Sequence, residues 1–260
     1  MKRIHLFEWE DQSWFPKVWR DFGTDYLRFI AHKFSIYSPV IPIIKEGLRS
    51  SGNHRWVDCA SGGGSGLINL VKSIKAEFPN LKVILTDYFP NISAFELTKS
   101  VDNKTFDYES KPIDIRNIPK HLGGSLRSVF GAFHHFKPKD AQKILQDAVD
   151  SNSPIVIFEP VSRNFFSWFS MIFVIPNILL LTPFIRPFRW QVLPFIYLIP
   201  LIPLYVIWDG SISILRTYSE KELLLLIDKL ENKDKFEWKV GSVQGKPSKI
   251  YYLSGFPVKD

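Results

Sequence analysis

The most constraining feature of this chain is a short apolar strand that runs directly into a loop of small residues. Residues 56–60 have the composition of a buried strand, and residues 61–66 are all glycine or serine. Apolar side chains then recur at helical spacing, at Leu67, Leu70, Val71 and Ile74. A strand, a glycine loop and a helix in this order predict an α/β fold whose loop backbone comes close to a ligand at the helix N-terminus.

The alternation of strand and helix continues beyond this loop. Apolar runs predict strands at residues 83–87, 128–133 and 155–159, and helical periodicity predicts helices at residues 92–99 and 138–150. Parallel strands need crossover helices between them. The order therefore predicts a mostly parallel sheet covered by helices on both faces.

Further elements are predicted on either side of this core. Helical periodicity predicts N-terminal helices at residues 15–30 and 39–50. Near the C-terminus, Ser219 and Glu222 form the pattern of a capping box that begins a helix extending to Leu230. Two late strands, at residues 236–240 and 249–254, predict an antiparallel hairpin that completes the sheet.

The strand and loop at residues 57–64 resemble the first motif of class I S-adenosylmethionine-dependent methyltransferases. In that motif a hydrophobic strand is followed by an acid, here Asp58, and then by alternating small residues. Ala60 stands where many members of the family have the first glycine, which leaves the path of the loop uncertain but not its role. The dinucleotide fingerprint fits less well, because Leu67 occupies the position of its third glycine. This favours a methyltransferase over a nicotinamide-dependent oxidoreductase.

The resemblance implies a Rossmann-like class I methyltransferase sheet and an S-adenosyl-L-methionine site at its carboxyl edge. Asp87, after the second predicted strand, takes the place of the acid that binds both ribose hydroxyls. Asp114 takes the place of the acid near the adenine amino group, with Ile115 covering the ring. The implied cofactor-binding residues are Asp58, Ala60, Ser61, Gly62, Gly64, Asp87, Tyr88, Asp114, Ile115 and Phe133.

Two adjacent histidines, His134 and His135, follow the strand predicted at residues 128–133. Transfer of a methyl group to a hydroxyl needs a base, and neutral imidazole has a suitable pKa near neutral pH. Both histidines are therefore candidate catalytic residues, although a structural role for each remains the alternative. Glu159, at the end of the next strand, is a second candidate. The sequence indicates no metal site.

The segment at residues 163–208, called the insert below, has an unusual composition. After Arg163 its only charges are Arg186 and Arg189. The uncharged stretches Asn164–Ile185 and Trp190–Trp208 contain 22 and 19 residues, close to the ~20 that cross a bilayer as a helix. The insert also contains helix-breaking prolines, namely Pro176, Pro183, Pro194, Pro200 and Pro203.

A transmembrane hairpin is disfavoured because it would place the two arginines on the far side, against the positive-inside tendency. We instead expect broken amphipathic helices at a membrane surface, with Arg186 and Arg189 near lipid phosphates. A soluble cap that packs on the core or on another subunit is the alternative. Either arrangement suggests a hydrophobic acceptor.

These patterns divide the chain into four parts. Residues 1–55 form an N-terminal helical lid, residues 56–162 the cofactor-binding core, residues 163–208 the insert, and residues 209–260 a helix and strands that complete the core. Cys59 is the only cysteine, which suits a reducing compartment. No apolar run suited to a signal peptide precedes Glu8. We therefore expect a cytoplasmic protein at the inner face of a membrane.

The sequence thus predicts methyl transfer from S-adenosyl-L-methionine to a hydrophobic small molecule or a lipid-like acceptor. A non-enzymatic membrane-docking protein that retains a nucleotide-binding sheet is the main alternative, but it would not need the acids of the motifs. The net charge of +7 favours anionic partners. No basic stripe interleaved with aromatic residues indicates nucleic acid, and the oligomeric state stays open.

Overall fold

The computed structural model describes residues 2–64, 66–246 and 248–258, so that Met1, Ser65, Pro247, Lys259 and Asp260 lie outside the described residues. Within these ranges one sheet is formed by β1 (Arg55–Cys59), β2 (Lys82–Leu85), β3 (Phe106–Tyr108), β4 (Leu126–Phe130), β5 (Ile155–Glu159), β6 (Phe236–Val243) and β7 (Ile250–Pro257). The spatial order is β3-β2-β1-β4-β5-β7-β6. Strands β1 to β5 pair in parallel, and β7 is antiparallel to both of its neighbours. The predicted fold class is confirmed.

Helices connect the strands and cover the sheet. In chain order they are α1 (Lys17–Lys33), α2 (Ile41–Ser51), α3 (Leu67–Ile74), α4 (Ile92–Val101), α5 (Pro138–Asp150), α6 (Phe165–Ser170), α7 (Val174–Leu181), α8 (Leu193–Tyr197), α9 (Leu201–Arg216) and α10 (Glu220–Ile227). Short 3-10 turns include Phe133–His135 after β4 and Met171–Phe173 between α6 and α7. The predicted capping box at Ser219 and Glu222 is present at the start of α10.

Two core clusters lie on opposite faces of the sheet, because successive side chains of a strand point to opposite sides. Trp56 packs in the cluster that contains Ile44 of α2 and Leu70 of α3. Val57 packs in the other cluster, with Ile144 of α5 and residues of α10. Every residue of β4 and β5 is buried, as expected for parallel strands covered on both faces.

A third cluster joins the N-terminal helix to the insert. Phe22 and Tyr26 of α1 pack with Ile178, Ile196 and Ile202 of helices α7, α8 and α9. We call α1 together with α6–α9 the cap. Helix α9 continues through residues 208 and 209, so the predicted boundary between the insert and the C-terminal part falls inside a helix.

Two strands of the structure, β4 and β3, depart from the prediction. The strand predicted at residues 128–133 ends at Phe130, because Gly131 takes a positive φ of 59° and turns the chain. The two histidines consequently lie on a 3-10 turn. Strand β3 was not predicted, since three residues are too few to show an alternating pattern.

Candidate functional site

A cavity of about 740 Å³ lies between the carboxyl edge of the parallel strands and the cap. Strands β1 and β4 are neighbours from which the strand order runs outward in opposite directions. Open α/β sheets bind ligands at such a switch point. The predicted site residues that line the cavity are Ala60, Ser61, Gly62, Asp87, Tyr88, Asp114, Ile115, His134 and His135. The topology thus brings together most of the residues that the motifs singled out.

The glycine loop is bent by residues in the left-handed region of φ. Ala60, Gly62, Gly64 and Gly66 have φ values of 51°, 54°, 98° and 74°. The Ser61 N–H donates to the carbonyl of Thr86 at 2.9 Å, and the Ser61 hydroxyl donates to the carbonyl of Asp58 at 2.8 Å. These bonds fix the loop between the ends of β1 and β2.

Asp58 lies behind this loop and does not line the cavity. The Ser128 hydroxyl donates to its Oδ1 at 2.6 Å, and Trp56 Nε1 donates to Ser128 at 2.7 Å. Its Oδ2 is buried without a hydrogen-bond partner among the described residues. Burial raises the pKa of Asp58 to about 7, against the hydrogen bond from Ser128. Direct cofactor contact by this side chain stays a prediction.

Asp87 connects the glycine loop to the residues after β2. The Gly62 N–H donates to Asp87 Oδ2 at 2.7 Å, and the Phe89 N–H donates to Oδ1 at 2.8 Å. Burial raises the pKa of this carboxyl, while both backbone donors lower it. The half-buried carboxylate lines the cavity directly beside the loop. Each oxygen has a second lone pair with which it could accept a hydrogen bond from a ligand hydroxyl.

Three further predicted residues have different surroundings. Asp114 lines the cavity, but its carboxylate also accepts hydrogen bonds from Arg116, from Nε at 2.9 Å and from Nη2 at 2.7 Å. Phe133 is 1% exposed and packs on Tyr218 in the core instead of lining the cavity. Gly64 also lies outside the cavity wall. Contact of Phe133 or Gly64 with a bound ligand therefore has no support from the cavity geometry.

His134 and Glu159 form a buried pair at the cavity wall. His134 Nδ1 lies 3.0 Å from Glu159 Oε2, and the His134 backbone N–H donates to Oε1 at 3.1 Å. An ionised carboxylate only accepts, so it holds the imidazole proton on Nδ1. His134 Nε2 is buried and has no hydrogen-bond partner among the described residues. Nε2 is thus the ring nitrogen that the pair leaves without a partner in the described part of the chain, buried in the cavity wall.

His135 has a different role, because it binds the N-terminal segment. Its Nδ1 lies 2.8 Å from Asp11 Oδ1 and 3.1 Å from Glu8 Oε2. Burial alone would lower the pKa of His135, but the charges of Glu8 and Asp11 raise it to about 10. His135 is thus a cation at neutral pH and a poor base. Of the two candidate histidines, only His134 has a buried ring nitrogen without a hydrogen-bond partner among the described residues.

Residues 3–16, called the strap below, are held across the site by Arg216 as well. This guanidinium is 2% exposed, contacts Asp11 Oδ2 at 2.6 Å and Glu8 Oε1 at 3.3 Å, and donates to the carbonyl of Leu6. Ligand atoms of Glu8, His134 and His135 come within 4.8 Å of one another, as in a metal site. The cationic His135 and the neighbouring Arg216 make this group an ion-pair network that disfavours an added cation.

A carboxyl pair in the cavity wall was not predicted from the sequence. Asp209 of α9 accepts hydrogen bonds from the backbone N–H groups of Trp9 and Glu10, at 2.8 and 3.0 Å. Burial and, to a lesser degree, the charge of Asp209 together raise the pKa of Glu10 to about 8. Burial likewise raises the pKa of Asp209 to about 7. The two acids are 199 residues apart in sequence, and no local pattern relates them.

The insert has one packed side and one exposed side. Its outer face, as we call it, contains Phe165, Phe166, Ile172, Leu180, Trp190 and Leu198, which are 64–80% exposed. Phe165–Phe184 is long and apolar enough to cross a membrane, and only 11% of its most apolar 18-residue stretch is buried. Trp190–Tyr197 and Leu201–Arg216 would do so only as a pair, and they are bent by 83°.

Arg189 does not lie where the sequence suggested. Its Nε donates to Asp25 Oδ2 at 2.8 Å, and its Nη1 lies 3.3 Å from Asp21 Oδ2. The predicted place of Arg189 near lipid phosphates is therefore wrong, because the side chain fixes the insert to α1. Arg186 remains exposed.

No protein-family model matches the chain, and no curated protein matches its sequence. Among solved structures, an O-methyltransferase family protein from Burkholderia thailandensis is similar, with a TM-score of 0.51, 13% identity and coverage of 92% of this chain and 60% of that one. Magnesium protoporphyrin IX methyltransferase from Synechocystis PCC 6803 gives a TM-score of 0.47 at 9% identity, covering 84% and 82% of the two chains. A SAM dependent methyltransferase from Aquifex aeolicus gives 0.47 at 14%, covering 87% and 93%.

The chain spans about three fifths of the length of the Burkholderia protein and of a structurally similar Nostoc punctiforme protein, 60% and 59%. At this level of identity the likeness concerns the fold. It agrees with the strand order, in which β7 lies between β5 and β6 and runs against both. The chain therefore has the fold of class I S-adenosylmethionine-dependent methyltransferases.

Proposed function

We propose that this protein transfers a methyl group from S-adenosyl-L-methionine to a hydrophobic small molecule or lipid-like acceptor. The observation that carries the proposal is the shared cavity wall of the glycine loop and Asp87 at the switch point of the sheet. Ala60, Ser61 and Gly62 would hold the cofactor by their backbone, Asp87 its ribose, and Asp114 and Ile115 its adenine. Tyr88 lies beside Asp87 at the same edge. When bound, S-adenosyl-L-methionine supplies an electrophilic methyl group.

His134 is the proposed base for a hydroxyl acceptor. Its Nε2 accepts the proton of the acceptor hydroxyl, and the resulting imidazolium keeps its Nδ1 proton directed at Glu159. Glu159 is a positioning residue, because it fixes the tautomer and stabilises the positive charge that develops on the ring. General base catalysis of this kind contributes about 10²–10⁴-fold to a rate.

The hydrophobic nature of the acceptor is supported by the cap side of the cavity. Met171, Val174 and Val206 line it there, and Leu27 of α1 lies at the same wall. An acceptor with an apolar body would remove these side chains from water, at about 25 cal/mol per Å² of buried apolar surface. Its reacting hydroxyl would then lie near His134.

Calorimetric titration with S-adenosyl-L-methionine and, separately, with NADPH tests the cofactor. We expect binding of the sulfonium nucleoside alone, and an Asp87→Ala variant that binds it about tenfold or more weakly, since two charge-assisted hydrogen bonds are lost. Asp107→Ala, an exposed acid of β3 outside the cavity, is the matched control. Binding of NADPH instead would favour an oxidoreductase, and binding of neither would favour a non-enzymatic docking protein.

We also propose a cytoplasmic location at the inner face of a membrane. The exposed apolar outer face of the insert and the net charge of +7 support a peripheral association. Salt washing and detergent extraction of cell fractions test it. Recovery of all the protein in the soluble fraction before any salt wash would contradict this location.

A further inference from the structure

The outer face of the insert and the cavity are separated by a single helical turn. Met171 and Val174 line the cavity, whereas Ile172 and Phe173 between them are 64% and 54% exposed. Met171 also packs closely on α9, because a Cβ added to Gly210 would lie 2.9 Å from the Met171 sulfur. An apolar molecule on the outer face is therefore one turn of helix away from the cavity wall.

The packing of the insert prevents it from crossing a bilayer as it stands. Ile178, in the middle of the apolar stretch, is fully buried in the cluster formed with Phe22 and Tyr26 of α1. Helix α1 also carries Asp25, which is paired with Arg189 of the insert. A spanning Phe165–Phe184 would bring these charged groups into the hydrocarbon, which strongly disfavours charge. The geometry is that of a segment lying flat.

The exposed side chains suit a lipid surface. Large exposed apolar groups are concentrated in the insert and at its C-terminal boundary, with Trp168, Trp190 and Trp208 among them, the residue type found at membrane interfaces. Arg186 is exposed near the ring of Phe188, at 5.7 Å, and forms no salt bridge with an acid among the described residues. The positive net charge of the chain complements an anionic headgroup layer.

We propose that the outer face docks on an anionic lipid bilayer with its helices in the plane of the headgroups, and that the cavity takes an amphiphilic acceptor directly from that bilayer. The delivery of the acceptor rests on the proposed function, whereas the docking does not. A bilayer is the occupant that suits both the flat orientation and the position of the cavity one turn behind the surface. A second copy of the chain would cover the outer face and close this route.

Sedimentation with vesicles of phosphatidylcholine and phosphatidylglycerol tests the docking. We expect the full chain to bind, and Phe165→Ser/Phe166→Ser to bind about tenfold or more weakly because two large apolar groups no longer enter the lipid. The control, Leu224→Ser/Leu225→Ser, changes two side chains of α10 that are 51% and 58% exposed and should bind like the unchanged protein. Thermal unfolding checks that both variants fold. Equal binding by the two variants, or a dimer without vesicle binding, overturns the docking.

The depth of insertion is tested with phospholipids brominated at different carbons of the acyl chain. Bromine quenches tryptophan fluorescence at short range, and we expect stronger quenching by bromine near the headgroup than by bromine near the chain end. Trp168→Phe/Trp190→Phe should remove most of this difference. Strongest quenching at the chain end would indicate a spanning segment and would overturn the flat orientation.

Methyl transfer from labelled donor to a total lipid extract tests the delivery. The unchanged protein should label the extract both in vesicles and in detergent, whereas Phe165→Ser/Phe166→Ser should lose labelling in vesicles only. Equal labelling by both proteins in vesicles overturns direct delivery. If the unchanged protein labels neither preparation and binds no donor in the calorimeter, the proposed function and the delivery are both wrong. Docking is then decided by vesicle sedimentation alone.

Discussion

At the scale of single residues, Ala60 shows how the loop departs from the motif that it resembles. The sequence places alanine where many members of the family that the motif resembles have glycine, and the structure gives this residue a φ of 51°. A side chain in the left-handed region costs about 1–2 kcal/mol relative to glycine's free access to it. The loop therefore keeps its bend at the expense of local strain, which the hydrogen bonds of Ser61 hold in place.

Ala60→Gly should raise the free energy of unfolding by about 1 kcal/mol or less, because relief of strain is partly offset by the greater freedom of glycine in the unfolded chain. Urea denaturation measures it. Gly52→Ala is the control with the opposite change, since Gly52 has a φ of 69° with open space around it. This substitution should lower the free energy of unfolding by about 1 kcal/mol. A lower stability for Ala60→Gly would show that the methyl group packs usefully.

The His134 and Glu159 pair predicts a graded effect on turnover. His134→Ala should lower kcat by about 10²–10⁴-fold while donor affinity stays within about twofold, since the base acts on the acceptor. Glu159→Gln should give a smaller loss and shift the pH dependence of kcat. His121→Ala, an exposed histidine away from the cavity, is the control. An unchanged kcat for His134→Ala would remove the base from the mechanism.

His135 predicts a pH dependence of stability. Its pKa is raised to about 10 in the folded protein by Glu8 and Asp11, despite the opposing effect of burial, against an ordinary 6.5. This group therefore stabilises the fold fully below pH 6.5 and loses its contribution as the pH rises through 10. The melting temperature of the protein should fall as the pH rises across that window, and the melting temperature of the His135→Gln variant should fall less. Parallel profiles for the two proteins would contradict this assignment.

At the scale of elements, helix α1 packs closely against the glycines of the loop. A Cβ added to Gly63 would lie 2.6 Å from the carbonyl oxygen of Thr24, and one added to Gly66 would lie 3.1 Å from Ala31. The small residues thus allow close approach of a helix as well as of a ligand. The sequence predicted both α1 and the loop, but nothing local indicated that the two are in contact.

Gly63→Ala should consequently destabilise the protein by about 1–3 kcal/mol, the usual range for a forced backbone shift, and should weaken donor binding by displacing α1. Chemical denaturation and calorimetry measure the two effects. Gly123→Ala is the comparison, because its added Cβ would lie 3.1 Å from a single carbonyl in a loop away from the cavity. Retained stability in Gly63→Ala would mean that α1 moves freely relative to the loop.

At the scale of the whole molecule, the order of strands and helices between residues 56 and 159 could be predicted, apart from β3, because apolar residues there change clearly between strand and helix spacing. The cavity residues that could be predicted came from the resemblance to methyltransferase motifs, and the topology brings most of them to the edge at which the parallel strands end. The strap acids could not be predicted in this way. In the sequence Glu8 and Asp11 look like surface charges. They pair with Arg216, which lies beyond the core in the sequence, only in the folded protein.

This long-range contact has a measurable energy. Arg216→Ala leaves Glu8, which is 1% exposed, without its guanidinium partner, and breaking a buried ion pair costs about 3–5 kcal/mol. We expect a lower melting temperature and faster proteolysis within residues 3–16. Lys239→Ala, which removes an exposed pair with Glu46, should change little. Equal protease resistance in both variants would show that the strap is held by other contacts.

Helix α1 touches the glycine loop on one side, through Thr24, and the insert on the other, through Phe22 and Tyr26. One helix thus borders both the proposed cofactor cavity and the insert that we propose docks on lipid. Thermodynamic reciprocity then applies: whatever factor vesicles impose on donor affinity, the donor must impose on vesicle affinity. Titrating either ligand in the presence of the other measures this coupling factor, and a factor above one would indicate that α1 couples the two surfaces.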